Sequence, residues 1–405
     1  MPAHDESHGG LKREVGLLLF ALYGAGNIIG AGIYVLVGKV AGEAGLLAPF
    51  AFVVAAFVAV FTGLSYGELG ARYPVSAGEA VYVEQAFRQR FLSVGVGLLI
   101  SLAGLVSAAT MARGFVGYFN VFVAAPAALI ILLNVVVLTL VAARGIRESV
   151  LVAALLTLFE AGGLVWVIGV AAPNLTQLGE FALADLVPLN SLAWQGVLGA
   201  AFLAFFAFIG FEDIVNIAEE VKRPQRTIPV GILVAFGFST LLYLLVALVS
   251  ITTLSPAELA ASDAPLAAVY TSATGTPALL LSLIGSVAVT NGALIQIIMA
   301  SRIFYGMSRN GWLPAVLSDV NRRTHTPVRA TLLAGGIVLV LALALPLVGL
   351  AKTTSAIVLC VFTLINLSLL RIKWREPRPA DVRVLPVAVP LIGAAASLFI
   401  LLVAL

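Results

Sequence analysis

The chain has 405 residues, of which 61% are hydrophobic and 11% are charged, and its mean hydropathy is +1.09. A soluble globular domain carries about 25% charged residues, so the composition excludes a soluble protein and predicts a polytopic membrane protein. The net charge of +3 comes from basic residues in short loops, without a long basic run, which argues against a nucleic-acid partner. The single cysteine excludes an internal disulfide, and the three histidines show no metal-ligand spacing.

Apolar runs divide the chain into eleven predicted spanning helices, since about 20 apolar residues cross a bilayer as one helix. The runs cover residues 15–37, 46–69, 91–118, 127–141, 149–171, 194–217, 230–251, 278–305, 330–350, 353–370 and 385–405. A polar loop at 71–90 has an interfacial character, and the loop after the fifth helix carries Glu180 and Asp185 without a basic residue. The sequence therefore predicts an all-α polytopic membrane fold.

Basic residues lie mainly on one side of this arrangement. With a cytoplasmic N-terminal tail at 1–14, all 23 lysines and arginines fall on the cytoplasmic side except Lys39, Lys352 and Arg113. The positive-inside rule predicts such a bias when the count and orientation of the helices are correct. We expect a protein of the plasma (inner) membrane with a cytoplasmic N-terminus.

The first helix contains Gly24, Gly26, Gly30 and Gly32, and each glycine costs about 1 kcal/mol relative to alanine in a helix. The helix is expected to unwind at mid-membrane, where irregular backbone is tolerated only inside protein or beside a cavity. Close helix packing is the alternative, because small residues also mediate helix contacts in membranes. The sixth helix has a matching interruption at 208–210.

The two interruptions lie five helices apart, so the helices that carry them cross the membrane in opposite directions. Paired broken helices indicate an inverted-repeat transporter whose substrate binds at the midplane. Half-helix ends present unpaired N–H and C=O groups there, which suit the carboxylate and the ammonium of an amino acid. The predicted divisions are a first five-helix repeat at 15–172, an extracellular loop at 173–193, a second, inverted five-helix repeat at 194–371, and a cytoplasmic loop with the final helix at 372–405.

Several motifs follow one another in a specific order. They are GNIIGAGIY at 26–34, LSYGEL at 64–69, YPVS at 73–76, FFAFIGFE at 205–212, AEEVKRPQRTIP at 218–229 and SRIFYGMSRNGWLP at 301–314. Together they resemble the amino acid/polyamine/organocation transporter superfamily, and most of all its cationic amino acid transporter branch. The resemblance implies a 5+5 inverted-repeat fold with broken helices 1 and 6 and transport by alternating access. The family usually has twelve helices or more, whereas eleven are predicted here.

The resemblance also implies where a substrate binds. Backbone groups of the first break would hold the substrate carboxylate, at Ile28, Ile29, Gly30, Ala31 and Gly32. Carbonyl groups of the second break would hold its amine, at Phe206, Ala207, Phe208, Ile209 and Gly210. Phe206 would also be an aromatic gate on the outer side of the substrate.

Glu160 lies midway along the fifth helix, where related proteins often place a lysine. An acidic residue at this depth costs about 3 kcal/mol on insertion scales and marks a functional site. Burial favours the neutral acid, which can bind and release a proton during transport. Two alternatives are that Glu160 binds a cation, either a metal ion or the substrate ammonium, and that it stays protonated and only hydrogen-bonds another helix. A carboxylate cannot replace an ammonium, so the lysine mechanism of relatives is not expected here.

Other polar residues near the breaks are further candidates. Ser286 and Thr290 on the eighth helix have the chemistry of a sodium-like coupling site opposite the first helix. Hydroxyl groups in membrane helices often bond their own backbone instead. Glu212 and Asp213 follow the second break. One of them is expected to pair with a basic residue, and attraction of cationic substrates is the alternative.

The predicted function is secondary active transport of amino acids, coupled to protons through Glu160. Transport of polyamines or small amines and amino acid exchange are alternatives, and a channel or a non-transporting sensor is less favoured. An enzyme is not expected, because no His-Glu-x-x-His motif occurs and no histidine lies in a predicted span. No cofactor is expected either, because the glycines of the first helix lack the strand-turn-helix context of a dinucleotide site.

Overall fold

The computed structural model describes residues 13–74, 78–144, 150–181, 186–309, 311, 313–321, 323–324, 326–377, 379 and 382–404. The first seven α-helices are α1 (Leu17–Ile29), α2 (Ala31–Ala44), α3 (Ala48–Arg72), α4 (Gly78–Phe87), α5 (Arg90–Phe119), α6 (Ala127–Arg144) and α7 (Val150–Ala171). The next eight are α8 (Ser191–Ala204), α9 (Pro224–Thr253), α10 (Pro256–Ala261), α11 (Pro265–Thr274), α12 (Leu279–Arg309), α13 (Val328–Ala344), α14 (Leu347–Arg375) and α15 (Ala388–Ala404). Most of the predicted tail, Asp185, the end of the YPVS motif and positions 310 and 312 of the last motif lie outside the described residues.

The helices confirm the predicted all-α polytopic fold. Among the described residues, eight helical stretches are long and apolar enough to cross a membrane, and α1, α13 and α15 are shorter apolar helices. α1 and α2 together form the first predicted span, and α8 with the 3₁₀ turns after it forms the sixth. We define the N-terminal face of the protein as the one at which α1 begins, and the opposite face as the one at which α2 ends.

The predicted boundary between the ninth and tenth helices was wrong. α13 ends at Ala344, Leu345 is extended, and Pro346 is the N-cap residue of α14, which begins six residues before the predicted start at 353. Proline has no N–H to donate to the preceding turn, and it disfavours helical backbone in the residue before it. The proline therefore sets this boundary, although the apolar run continues through it.

The two halves of the chain have corresponding features. The first span of each half is interrupted, and short helices that do not span follow the second span of each half: α4 in the first, and α10 with α11 in the second. The helices α10 and α11 were not predicted, because each alanine-rich segment is too short for a span. Helices at matching positions pack on each other across the halves, α3 against α9 and α5 against α12. The exact division into repeats stays a prediction.

A buried ion cluster joins three elements at the N-terminal face. The carboxylate of Glu68 at the end of α3 accepts hydrogen bonds from Arg72 at 2.7 Å and from Lys373 of α14 at 2.6 Å. It also accepts the backbone N–H of Leu385, which precedes α15, at 2.9 Å. Both Glu68 and Lys373 are almost fully buried. The cluster thus fixes the start of the last helix to α3 and α14.

The short helix α4 contributes a second buried acid, Glu79. The hydroxyl of Tyr66 lies 3.3 Å from its carboxylate. Burial raises the pKa of Glu79 from 4.5 to about 7, and the nearby carboxylate of Asp213 adds to the increase. Between these two pH values the folded protein holds a proton that the unfolded chain has released. The contribution of Glu79 to the stability of the fold is therefore greatest at low pH and is lost as the pH rises through the pKa of the folded state.

We expect Glu79→Gln to remove this pH dependence. At pH 8 the substitution should stabilise the protein by on the order of 3 kcal/mol, because it removes a buried carboxylate that must otherwise ionise. The measurement is the melting temperature in detergent between pH 5 and pH 8. Glu84→Gln, on the exposed side of the same helix, is the control and should keep the dependence of the wild type. An unchanged pH dependence in Glu79→Gln contradicts the prediction.

Candidate functional site

The two broken helices touch each other at their breaks. Gly210 has a φ of +123°, and a Cβ atom at this position would clash with the carbonyl oxygen of Asn27. On the other side of the first break, a Cβ atom at Gly32 would lie 2.5 Å from Cα of Ala207. Backbones approach this closely only where side chains are absent. The glycines that predicted the breaks therefore also allow their contact.

A small cavity lies between the two breaks. Its volume is about 30 Å³, which leaves room for only a few water molecules. Five of the predicted substrate-binding residues line it: Ile28, Gly30, Gly32, Phe206 and Ile209. The other lining residues are Gly26, Asn27, Ser107, Met111, Asp213, Ala288, Asn291, Gly292, Ile295 and Gln296. The site is thus contracted in this structure, and the polar residues of α5 and α12 in its wall were not predicted.

The remaining predicted residues of the two breaks lie around the cavity. Ile29, Ala207 and Phe208 are buried in the packed core, Gly210 packs on the first break, and Ala31 begins α2. Phe208 stacks on Phe236, with 5.2 Å between ring centroids. Phe206, by contrast, lines the cavity. Its role as a gate stays a prediction.

The wall formed by the first break offers hydrogen-bond donors. Gly30 is the N-cap residue of α2, and no side chain caps the first N–H groups of this helix. A helix N-terminus carries unpaired N–H groups and a partial positive charge. Asn27 also lines the cavity, and its amide nitrogen Nδ2 has no hydrogen-bond partner within the described chain. An anionic group in the cavity would find its partners on this wall.

Tyr243 of α9 connects the two breaks. Its buried hydroxyl lies 2.6 Å from the carbonyl oxygen of Ile28 and 2.8 Å from that of Ala207. The N–H of Ile209 donates to the carbonyl of Phe206 at 3.2 Å. Two of the carbonyl groups that the resemblance assigns to the substrate amine, those of Phe206 and Ala207, are therefore engaged while the site is contracted. The sequence gives only a weak signal for Tyr243, because it is one of several hydroxyl-bearing residues in a largely apolar helix.

Glu160 lies behind the first break and does not line the cavity. Its side chain is 1% exposed, and its Oε1 atom has no hydrogen-bond partner among the residues that the structure describes. The side-chain amide of Asn291, which does line the cavity, is beside the carboxylate. The hydroxyl of Tyr34 in α2 donates to the backbone carbonyl of Glu160 at 2.5 Å. Glu160 is thus a buried acid one side chain away from the cavity.

Ser286 and Thr290 do not line the central cavity, and their role in a sodium-like site stays a prediction. They line a separate cleft of about 480 Å³ toward the opposite face, between α5 and α12. The other residues of this cleft are Phe115, Phe119, Phe122, Leu283, Val287 and Asn291. The Oγ atom of Ser286 has no partner within the described chain. Asn291 lines both the cleft and the central cavity.

The second break leads into two acidic residues with different environments. The carboxylate of Glu212 accepts the N–H of Gly210 at 2.9 Å and so fixes the turn after the break. Asp213 lines the cavity on the side of the N-terminal face, and its Oδ2 atom lies 3.4 Å from Nε2 of Gln296 in α12. Among the described residues, neither acid forms an ion pair with a basic residue, so the predicted pairing is not observed there.

Comparisons with known proteins find matches along nearly the whole chain. The model of the family described as Amino acid permease matches residues 16–405. The branched-chain amino acid permease BcaP of Bacillus subtilis is 31% identical over 96% of this chain and 87% of its own length. An uncharacterized transporter of Mycobacterium bovis is 32% identical over the same shares. The vacuolar cationic amino acid transporter 4 of Arabidopsis thaliana is 29% identical over 92% of this chain and 65% of its own length.

Proposed function

Because this chain belongs to the amino acid permease family, we propose that it is a secondary transporter that carries amino acids across the membrane by alternating access. The observation that carries the proposal is the contact between two broken helices around a contracted cavity. A cavity of about 30 Å³ is far smaller than the roughly 300–1,000 Å³ of small-molecule sites. The breaks must therefore separate to admit a substrate, and they must do so on one face at a time to avoid a leak.

The α-carboxylate of the substrate is proposed to bind at the first break. The start of α2 and the amide of Asn27 supply the donors, and the N-terminal half-charge of a helix favours an anion. The ammonium is proposed to bind at the second break. One of its acceptors becomes available when Tyr243 releases the carbonyl group of Ala207, and the carbonyl group of Ile28 at the first break is released at the same time. The substrate thus replaces the contact that Tyr243 makes in the contracted site.

The N-terminal face is proposed to be the cytoplasmic face of a plasma membrane. The positive-inside rule supports this orientation, because the predicted helices place all 23 basic residues except three on that face. The three exceptions are held by neighbouring groups on the opposite face. Lys352 pairs with Glu43 at 2.8 Å, Lys39 donates to the carbonyl of Ala260 at 2.6 Å, and Arg113 donates to the carbonyl of Ala342 at 2.6 Å.

Proton coupling through Glu160 is the finer part of the proposal. The acid is buried beside the first break without a basic partner among the described residues, and Asn291 links it to the cavity. Protonation from one face and release to the other would couple its charge to the position of α1. Amino acid exchange without protons is the alternative, and it needs no titration of Glu160.

We expect Glu160→Gln to lose uptake driven by a pH gradient by at least about tenfold, because the amide keeps the hydrogen-bonding shape of the acid but carries no exchangeable charge. Counterflow of amino acid between two loaded compartments should persist, since exchange needs no net proton movement. The measurement is uptake into proteoliposomes with and without a gradient, beside counterflow. Glu180→Gln, at an exposed acid outside the spans, is the control.

Three results would change this assignment. Full gradient-driven uptake by Glu160→Gln would exclude the coupling role and favour another proton site. Wild-type uptake that ignores the pH gradient but shows counterflow would support the exchanger. Absence of saturable counterflow in the folded wild-type protein would contradict the carrier itself and favour a channel or a sensor.

A further inference from the structure

Four exposed arginines surround the junction of α4 and α5 at the N-terminal face. Arg88 follows the last residue of α4, Arg90 is the first residue of α5, and Arg371 and Arg375 lie in the last two turns of α14. The end of α14 packs on both α4 and α5. The guanidinium of Arg371 lies 5.3 Å from the ring centroid of Phe87, directly before this junction. We call these four residues the arginine cluster.

The arginine cluster carries an excess of positive charge. Among the described residues, Arg88, Arg371 and Arg375 form no ion pair. Arg375 instead donates to a backbone carbonyl of α4 at 2.9 Å, which leaves its charge uncompensated. Glu84 of α4 and Glu376 after α14 are exposed acids of the same region, so the arginines outnumber them. Because like charges repel each other, the cluster favours an anionic partner.

The backbone of Arg88 supports a role for its side chain. Arg88 has a φ of +54°, and its N–H donates to the carbonyl of Glu84 at 2.8 Å, at the end of α4. Glycine is the usual residue in this left-handed conformation after a helix, because a Cβ atom is disfavoured there. A side chain held in such a conformation points to a function for that side chain. Here it presents a guanidinium at the corner between two helices.

Exposed apolar side chains begin beside the arginine cluster. Phe91 is 83% exposed and Trp374 is 80% exposed, and large aromatic residues are typical of the membrane–water interface. Leu98 and Leu102 are also exposed and share one face of α5 with Phe91. On α14, the exposed Leu367 lies two turns before Trp374. The arginines thus lie at the end of two apolar helix faces that are open to lipid.

We propose that the arginine cluster binds the phosphate of an anionic phospholipid whose acyl chains lie against Phe91 and Trp374. The planar guanidinium of arginine suits a phosphate, to which it can donate two parallel hydrogen bonds. A zwitterionic headgroup carries its own ammonium, so the excess charge of the cluster selects an anionic headgroup. The apolar faces of α5 and α14 favour a lipid over a free phosphate. With the orientation proposed above, this lipid belongs to the cytoplasmic leaflet.

The test measures which lipid lies next to Trp374. The purified full chain is placed in vesicles of equal parts phosphatidylglycerol and phosphatidylcholine. The acyl chains of one lipid or the other carry bromine, which quenches a tryptophan that it contacts. The signal of Trp374 is the difference between the wild type and Trp374→Phe. We expect brominated phosphatidylglycerol to quench Trp374 at least about threefold more strongly than brominated phosphatidylcholine.

A matched pair of variants tests the arginines. Arg88→Gln combined with Arg371→Gln should make the two brominated lipids quench Trp374 equally. The control combines Arg302→Gln with Arg309→Gln, at exposed arginines on the last turns of α12 at the same face. Arg309 lies 5.8 Å from the ring centroid of Tyr305, a contact like that of Arg371. The control should keep the preference for phosphatidylglycerol.

Each other result refutes a defined part of the proposal. Equal quenching by both lipids in the arginine-containing protein refutes the site. Equal loss of preference in both double variants assigns it to the total charge of the face and refutes a local site. Full preference in a cooperatively melting Arg88→Gln, Arg371→Gln protein refutes the role of these arginines. Displacement of brominated phosphatidylglycerol by glycerol phosphate would favour a soluble ligand over a lipid. Because no readout uses transport, these failures would leave the proposed function intact.

Discussion

Gly210→Ala is expected to abolish transport while the protein still inserts into the membrane. The backbone of Gly210 has a φ of +123°, a conformation that costs an alanine roughly 1–3 kcal/mol. The added methyl group would also clash with the carbonyl of Asn27, so the two breaks cannot close on each other. We expect counterflow to fall by at least about a hundredfold, which corresponds to roughly 2.7 kcal/mol.

The matched control for this variant is Gly237→Ala. Gly237 lies in α9, and a Cβ atom there would meet no other atom within 4 Å. Alanine in a helix interior is favoured over glycine, so this variant should transport normally and melt at the same or a higher temperature. Normal counterflow by Gly210→Ala would show that the contact between the breaks is unnecessary for transport. Gly32→Ala, on the other side of the contact, should resemble Gly210→Ala because its methyl group meets the backbone of Ala207.

Glu68→Gln is expected to cause the largest loss of stability among single substitutions of polar residues. The carboxylate is fully buried and holds Arg72, Lys373 and the N–H of Leu385. Removing one partner of a buried ion pair leaves an uncompensated charge and costs about 3–5 kcal/mol. The melting temperature in detergent should fall strongly, and the start of α15 should become accessible to proteolysis near Leu385.

An exposed ion pair in the same protein provides the comparison. Asp319 pairs with Arg329, and both side chains are more than half exposed. Exposed pairs contribute about 0–1 kcal/mol, so Asp319→Asn should hardly change the melting temperature. A double-mutant cycle of Glu68→Gln with Lys373→Met should show strong coupling, because the second change removes one of the two buried charges that the first leaves unpaired. Additive effects would refute the cluster as a unit.

The sequence predicted the features that depend on local composition. Four glycines within nine residues predicted the first break. The second interruption was predicted at 208–210, and the helix before it ends a few residues earlier, at Ala204. Apolar length predicted the spans. Both properties can be predicted from sequence because the length of a span and the conformation of a glycine depend on residues that are close together along the chain.

Features that depend on distant contacts were not predictable in this way. Lys373 was counted only as a basic residue of a loop, and its partner Glu68 lies 305 positions away along the chain. Tyr243 meets two carbonyl groups from different halves, which no local pattern encodes. The chemistry of Ser286 predicts a site on the eighth helix opposite the first helix, whereas Ser286 lines the cleft between α5 and α12 together with three phenylalanines.

The hydroxyl of Tyr243 has a single hydrogen, yet it lies within bonding distance of two carbonyl oxygens. The carbonyl oxygens of Ile28 and Ala207 share this one hydrogen, so the hydroxyl cannot give each of them a full hydrogen bond. The contact between the two breaks is therefore incompletely hydrogen-bonded at Tyr243, because a single donor serves one carbonyl group from each half of the chain. A closed form in which each carbonyl group had its own donor would be more stable and would open less readily. Under the proposed function, the ammonium of a substrate would supply the donors that the one hydrogen of Tyr243 cannot supply to both carbonyl groups.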